Sequence, residues 1–137
     1  MKKILFGFLV VVLVVGFGRV YYMKSQLASR YSLQDLQKIA TGANKTLPVM
    51  IDQQTKLNEV VAADRLLEKR YTVVGAAASE ALRNEIENKL FPLLKTQSCQ
   101  NKQSMNFYNS GVAEAFTYSD MNGKHIATLR IDKSSCK

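Results

Sequence analysis

The apolar and polar positions divide the chain into one uncharged run and a longer tract of changing periodicity. Residues 4–18, ILFGFLVVVLVVGFG, carry no charge and come directly after Lys2 and Lys3. A basic start with an apolar core is the pattern of a secretory signal. A helix without a polar face does not suit the surface of a soluble protein. Spanning a bilayer takes about 20 apolar residues, a length reached here only if Arg19 snorkels to the headgroups. Tyr21 and Tyr22 then fall where an aromatic belt is expected. Cleavage prefers small residues in an A-x-A-like arrangement, whereas Gly16-Phe17-Gly18 runs straight into Arg19. The expectation is a retained anchor over residues 1–24, with secretion after cleavage as the alternative. No cysteine lies near the end of the apolar run, so this is not a lipoprotein signal.

Beyond the anchor, residues 25–46 read as a juxtamembrane connector and a short helix. Ser32 opens SLQD, a capping-box pattern with Asp35 in the usual glutamate place. Leu33, Leu36, Ile39 and Ala40 recur at helical spacing as far as about residue 43. Residues 47–137 read as the α+β domain proper. Leu47-Pro48 pushes the chain into an extended path. Two strands come next, over residues 55–61 and 65–74. On the second, Leu67, Lys69, Tyr71 and Val73 share one face. The segment LNEVVAADRLLEKR is also rich in helix formers, and a helical reading competes with the hairpin there.

Residues 76–97 form the clearest helical tract. Ser79 is its N-cap, and Leu82, Ile86, Leu90, Leu93 and Leu94 are its expected apolar stripe. Pro92 should kink it or start a new turn. A further short helix over residues 102–110, with Met105, Phe107 and Tyr108, stops at Gly111. The last third carries the strongest β pattern, over 112–120 and 124–132 around Asn122-Gly123. That turn sets Phe116 opposite Leu129, Tyr118 opposite Ala127 and Glu114 opposite Ile131. Thr117, Ser119, Thr128 and Arg130 fall on the polar face. The fold class expected is α+β, an antiparallel sheet of about four strands with helices on one face.

Composition changes this picture little. The net charge is +8, and Lys2, Lys3, Arg19 and Lys24 in the head and anchor supply half of it. The remaining charges are interspersed, as on an ordinary solvated surface. No basic stripe with stacking aromatics marks a nucleic-acid binder. The two cysteines, Cys99 and Cys136, read as a disulfide in an exported domain. Redox C-x-x-C spacing and zinc spacing are both missing.

Candidate chemistry is sparse. His125 is the one histidine, so any Ser-His-Asp or Cys-His site has to be built on it. It sits beside the Asn122-Gly123 turn, where a cross-strand pair with Asp120 is the simplest account. Asp52, Glu59, Asp64 and Glu68 are the acids available for a carboxylate pair. No G-x-S-x-G or phosphate-cradling glycine loop occurs. The reading is therefore a non-enzyme, with no cofactor, metal or small-molecule substrate.

The segments RYTVV, KLFPLLKTQSC and FYNSGVAEAFTYSDMNGKHIATLRIDKSSC resemble small exported bacterial domains of uncharacterised function. These stand behind a single membrane segment and have two cysteines in these places. The resemblance covers roughly residues 47–136 and implies architecture and compartment, with no catalytic residues to carry over. In its layout of strands and helices closed by a disulfide, the chain is more distantly similar to type II secretion pilotins.

The resulting expectation is a single-pass inner-membrane protein with its domain in the periplasm. It acts there as a protein-interaction module, an envelope assembly or immunity factor. A small periplasmic hydrolase, or a lipid- or glycan-binding domain, is the alternative. Aromatic and Met residues are enriched at interface cores. Met105, Phe107 and Tyr108, beside the Cys99 bridge, are accordingly the expected contact with another envelope protein.

Overall fold

The computed structural model describes residues 31–137. The anchor expected over residues 1–24 and the connector up to residue 30 lie outside the described residues. Among the described residues no helix is long and apolar enough to cross a membrane.

Helix α1, Leu33–Asn44, starts where the polar pattern places it. The Ser32 hydroxyl accepts the Asp35 backbone N–H, and the Asp35 carboxylate accepts the Ser32 backbone N–H. Two orphan donors are thereby satisfied reciprocally. Leu36 and Ala40 on its inner face are buried. At the far end, Asn44 joins the helix to the sheet: its Nδ2 donates to the Val60 carbonyl (2.9 Å), and its Oδ1 accepts the Val60 N–H (2.7 Å).

Strands β1 (Val49–Met50), β2 (Thr55–Ala63), β3 (Leu66–Val73), β4 (Ala113–Asp120) and β5 (His125–Ile131) form one sheet in that order. Strand β1 pairs only with Leu57 and Lys56 of β2. Past that point Asn44 takes the place of a neighbouring strand for Val60. The β2–β3 hairpin is confirmed over its helical rival, with Leu57 opposite Tyr71 and Ala62 opposite Leu67. The terminal hairpin keeps the expected partners: Phe116 with Leu129, Tyr118 with Ala127, Glu114 with Ile131.

Two features of the sheet correct the sequence reading. It has five strands, and β3 pairs with β4 in parallel, Leu66 opposite Ala113 through Val73 opposite Asp120. A parallel pair needs a long crossover, and the helical tract between the two strands supplies it. Local periodicity locates both strands without revealing their relative direction. The second feature is a bulge: Tyr118 pairs with Ala127 but Ser119 with His125. Ile126 is the extra residue, and it is buried together with Ala127. Strict alternation cannot bury both neighbours; a bulge can.

The crossover consists of α2 (Glu80–Glu85), a π-helical turn (Ile86–Leu90), α3 (Phe91–Gln100) and α4 (Lys102–Asn109). Ser79 caps α2 by accepting the Leu82 N–H. The π turn, in which the Phe91 N–H donates to Ile86, lies just before Pro92. Proline has no N–H to donate, and its ring crowds the carbonyl four residues back; widening the turn by one residue relieves both. The extra residue rotates the downstream helix by about 100°. Phe91 therefore turns inward, while Leu93, expected in the buried stripe, is 61 % exposed.

Helices and sheet enclose one core. Tyr71 stacks on Tyr118 with centroids 4.8 Å apart, Phe91 leans on Tyr118, and Tyr31 meets Phe107 edge-on at 5.1 Å. Cys99 near the end of α3 is joined to Cys136 in the final 3-10 turn (Lys133–Cys136), with Cα atoms 5.4 Å apart.

Candidate functional site

Two hollows flank the helical crossover, and their linings differ in kind. The larger, about 520 Å³, is polar and opens between the start of α2 and the start of β5. Ser79 and His125, the pair a hydrolase reading needs, both line it. Each is engaged elsewhere: the Ser79 hydroxyl caps α2, and His125 Nε2 lies 2.8 Å from the Thr128 hydroxyl. Arg83 and Glu87 on its wall pair with each other at 3.1 Å.

The expected pair of His125 with Asp120 is not formed. Asp120 is 4 % exposed, and its carboxylate accepts the backbone N–H groups of Ala78, Asn122 and Lys124, each at 2.9 Å. These bonds, that from Ala78 foremost, hold its pKa below the ordinary carboxylate value. Asp120 thus ties the loop ahead of α2 to the hairpin turn, where Gly123 adopts φ +80°.

The four acids considered for paired-carboxylate chemistry do not converge. Arg70 lies between two of them, with its Nη1 3.0 Å from Glu59 and its Nε bonded to Glu68. Glu68 also accepts the Thr117 hydroxyl, which lies 3.3 Å from that of Thr128. The open face of the sheet is thus a hydrogen-bonded row crossing β2 to β5. Asp52 accepts the Gln54 N–H in the β1–β2 loop. Asp64 sits in the β2–β3 turn. Among the described residues no cluster of three or more His, Cys, Asp or Glu is placed to hold a metal.

The expected contact surface needs correction. Phe107 is 5 % and Tyr108 1 % exposed, with Met105 partly buried against the same core. The Tyr108 hydroxyl donates to the buried carboxylate of Glu114 (2.7 Å), which also lies 3.2 Å from Lys69 Nζ. Helix α4 is amphipathic, and these residues are its inner side. Aromatic composition alone cannot distinguish a core face from an interface.

The second hollow is the better candidate. It is a groove of about 290 Å³ between the π turn and the upper ends of β2, β3 and β4. Leu82, Ile86, Leu90 and Leu93 form one wall, and Val73 and Tyr118 the floor. Burial raises the Tyr118 pKa, with Tyr71 and Asp52 adding to the effect, so the floor is a neutral phenol over an apolar bed. Glu85 and Lys89 sit at the rim, paired across one helical turn at 3.8 Å. An apolar hollow with a few polar groups at its edge suits an apolar side chain of a partner better than a reaction. The signal for it in the sequence is Pro92, whose π turn rotates Leu93 outward.

No protein-family model matches the chain, and no curated protein matches it by sequence. Solved structures do resemble it. A protein of Pseudomonas aeruginosa described as secreted aligns with TM-score 0.67 at 20 % identity, over 83 % of this chain and 96 % of that one. The type II secretion pilotin EpsS of Vibrio vulnificus aligns with TM-score 0.63 at 13 % identity, over 84 % and 96 %. The pilotin AspS of Vibrio cholerae aligns with TM-score 0.51 at 15 % identity, over 88 % and 99 %. At these identities the likeness is one of fold: the chain shares the architecture of these exported and secretion-system domains.

Proposed function

We propose that this chain is a non-enzymatic protein-interaction module of the bacterial envelope. In this reading the N-terminal apolar segment holds it at the inner membrane with the domain in the periplasm. There it seats an apolar element of another envelope protein in the groove beside Leu93, as an assembly or immunity factor would. The observation that carries the proposal is the groove itself: a large apolar side chain left open at its lip, within a fold shared with two secretion pilotins. Fully desolvated apolar anchors in pockets are where binding energy concentrates. Support for the compartment comes from the basic-then-apolar N-terminus and from the Cys99–Cys136 bridge.

The test is affinity capture of the full-length chain from envelope extract, beside its Leu93→Asp variant. The substitution is on the surface and leaves the fold intact by circular dichroism. The wild type recovers a partner in stoichiometric amount, and the variant loses it by at least about tenfold, the scale of one buried leucine. Recovery that is equal with both proteins contradicts the assignment.

A further inference from the structure

A second surface, separate from the groove, lies along the β1 edge. Of the large apolar side chains exposed among the described residues, Val49, Met50 and Ile51 are consecutive, at 45, 47 and 53 % exposure. Leu33, also exposed, stands on α1, the helix packed against the adjoining strand β2. Val49 pairs with Leu57 and so points to the helix side of the sheet, whereas Met50 pairs with Lys56 and points to the open side. The edge is apolar on both faces, like a wedge. Lys45 at the end of α1 and Lys56 beside Met50 bracket it. Neither makes an ion pair with another described residue. Asp52, the acid within this stretch, is turned to the Gln54 N–H at 2.7 Å.

We propose that this edge is a membrane-contact wedge, with Val49, Met50 and Ile51 seated at the headgroup–acyl boundary of an anionic bilayer and Lys45 and Lys56 at the phosphates. A contiguous exposed apolar patch marks an interaction site, and three observations select lipid as its occupant. A partner strand finds little ladder to join, because β1 is two residues long and Pro48 ahead of it has no N–H to offer. A wedge apolar on both sides suits a fluid that closes around it rather than a rigid surface meeting one face. Apolar side chains flanked by lysines match the charge of a phosphate-bearing interface. The edge follows α1 directly in the chain, and α1 is the described helix nearest in sequence to the apolar run of residues 4–18. The proposal does not depend on what the groove binds.

The chain contains no tryptophan, so a single introduced indole reports its own surroundings. Full-length Met50→Trp and Ile51→Trp are reconstituted in phosphatidylglycerol/phosphatidylethanolamine vesicles containing lipid brominated near the headgroup end of the acyl chain. Met121→Trp, on the exposed turn between β4 and β5 at the other side of the sheet, is the control. Indole emission at residues 50 and 51 shifts to the blue and is quenched at least about twofold more than at residue 121, as burial of about 5–10 Å at the interface requires. Adding Lys45→Glu and Lys56→Glu removes most of that difference. Equal quenching at all three positions overturns the proposal, as does quenching indifferent to the lysines. A blue shift seen in native envelope membranes but not in protein-free vesicles overturns it in favour of a protein partner.

Discussion

Glu114 is a carboxylate in the interior, 2 % exposed, held by the Tyr108 hydroxyl on one side and Lys69 on the other. A buried acceptor that loses its donor keeps its desolvation cost. Tyr108→Phe removes one oxygen and little volume, so it should lower unfolding stability by about 1.5–3 kcal/mol. Urea titration should show a lower midpoint with an unchanged slope. A neutral result would mean that Glu114 finds water instead. Asp120 offers a pH-dependent counterpart. Its folded pKa lies below the ordinary value because three backbone N–H groups favour the charged form. Its contribution is therefore complete above the unfolded carboxylate pKa of about 3.9 and disappears as pH falls through the depressed folded value. Asp120→Asn should lower the urea midpoint at pH 7, and the gap from wild type should narrow toward pH 3. These roles were poorly legible in sequence. Glu114 reads there only as a strand residue opposite Ile131, and Asp120 as a partner for His125. Nothing local to Asp120 announces that Ala78, far back in the chain, donates to it.

Among the elements, those set by local chemistry could be read in advance. The Ser32–Asp35 capping box starts α1 where expected, and Gly111, at φ +81°, comes after α4 as a left-handed stop. Asn122-Gly123 marks the terminal hairpin. What local pattern could not convey was the relation between elements. The parallel β3–β4 pairing depends on where a crossover of four helical pieces returns the chain. The groove depends on one inserted residue ahead of Pro92. The disulfide closes that crossover region on the C-terminus over a sequence separation of 37. In the chain-entropy view, closing such a loop is worth about 4 kcal/mol. The double variant Cys99→Ala/Cys136→Ala should lose up to about that much stability in denaturant titration. Alkylation of the unreduced wild type should label neither cysteine; labelling of both in protein taken from the envelope would refute the bridge in the cell.

At the scale of the whole molecule, the described domain has three kinds of surface. The open face of the sheet is satisfied internally by its Glu59–Arg70–Glu68–Thr117–Thr128–His125 row. It presents polar groups already paired, each exposed ion pair contributing little to stability. The β1 edge is apolar and bracketed by lysines. The groove beside the π turn is apolar, concave and bordered by a charged pair. Concavity and an open anchor position favour the groove as the site that selects a partner in the proposed role. Site-specific photocrosslinking in living cells tests this most directly, with a photoreactive amino acid placed in turn at Leu93 and at the equally exposed Met121. One discrete adduct with an envelope protein is expected from position 93 and none from position 121. The same adduct from both positions, or none from position 93 while the chain is present and folded, would contradict that role.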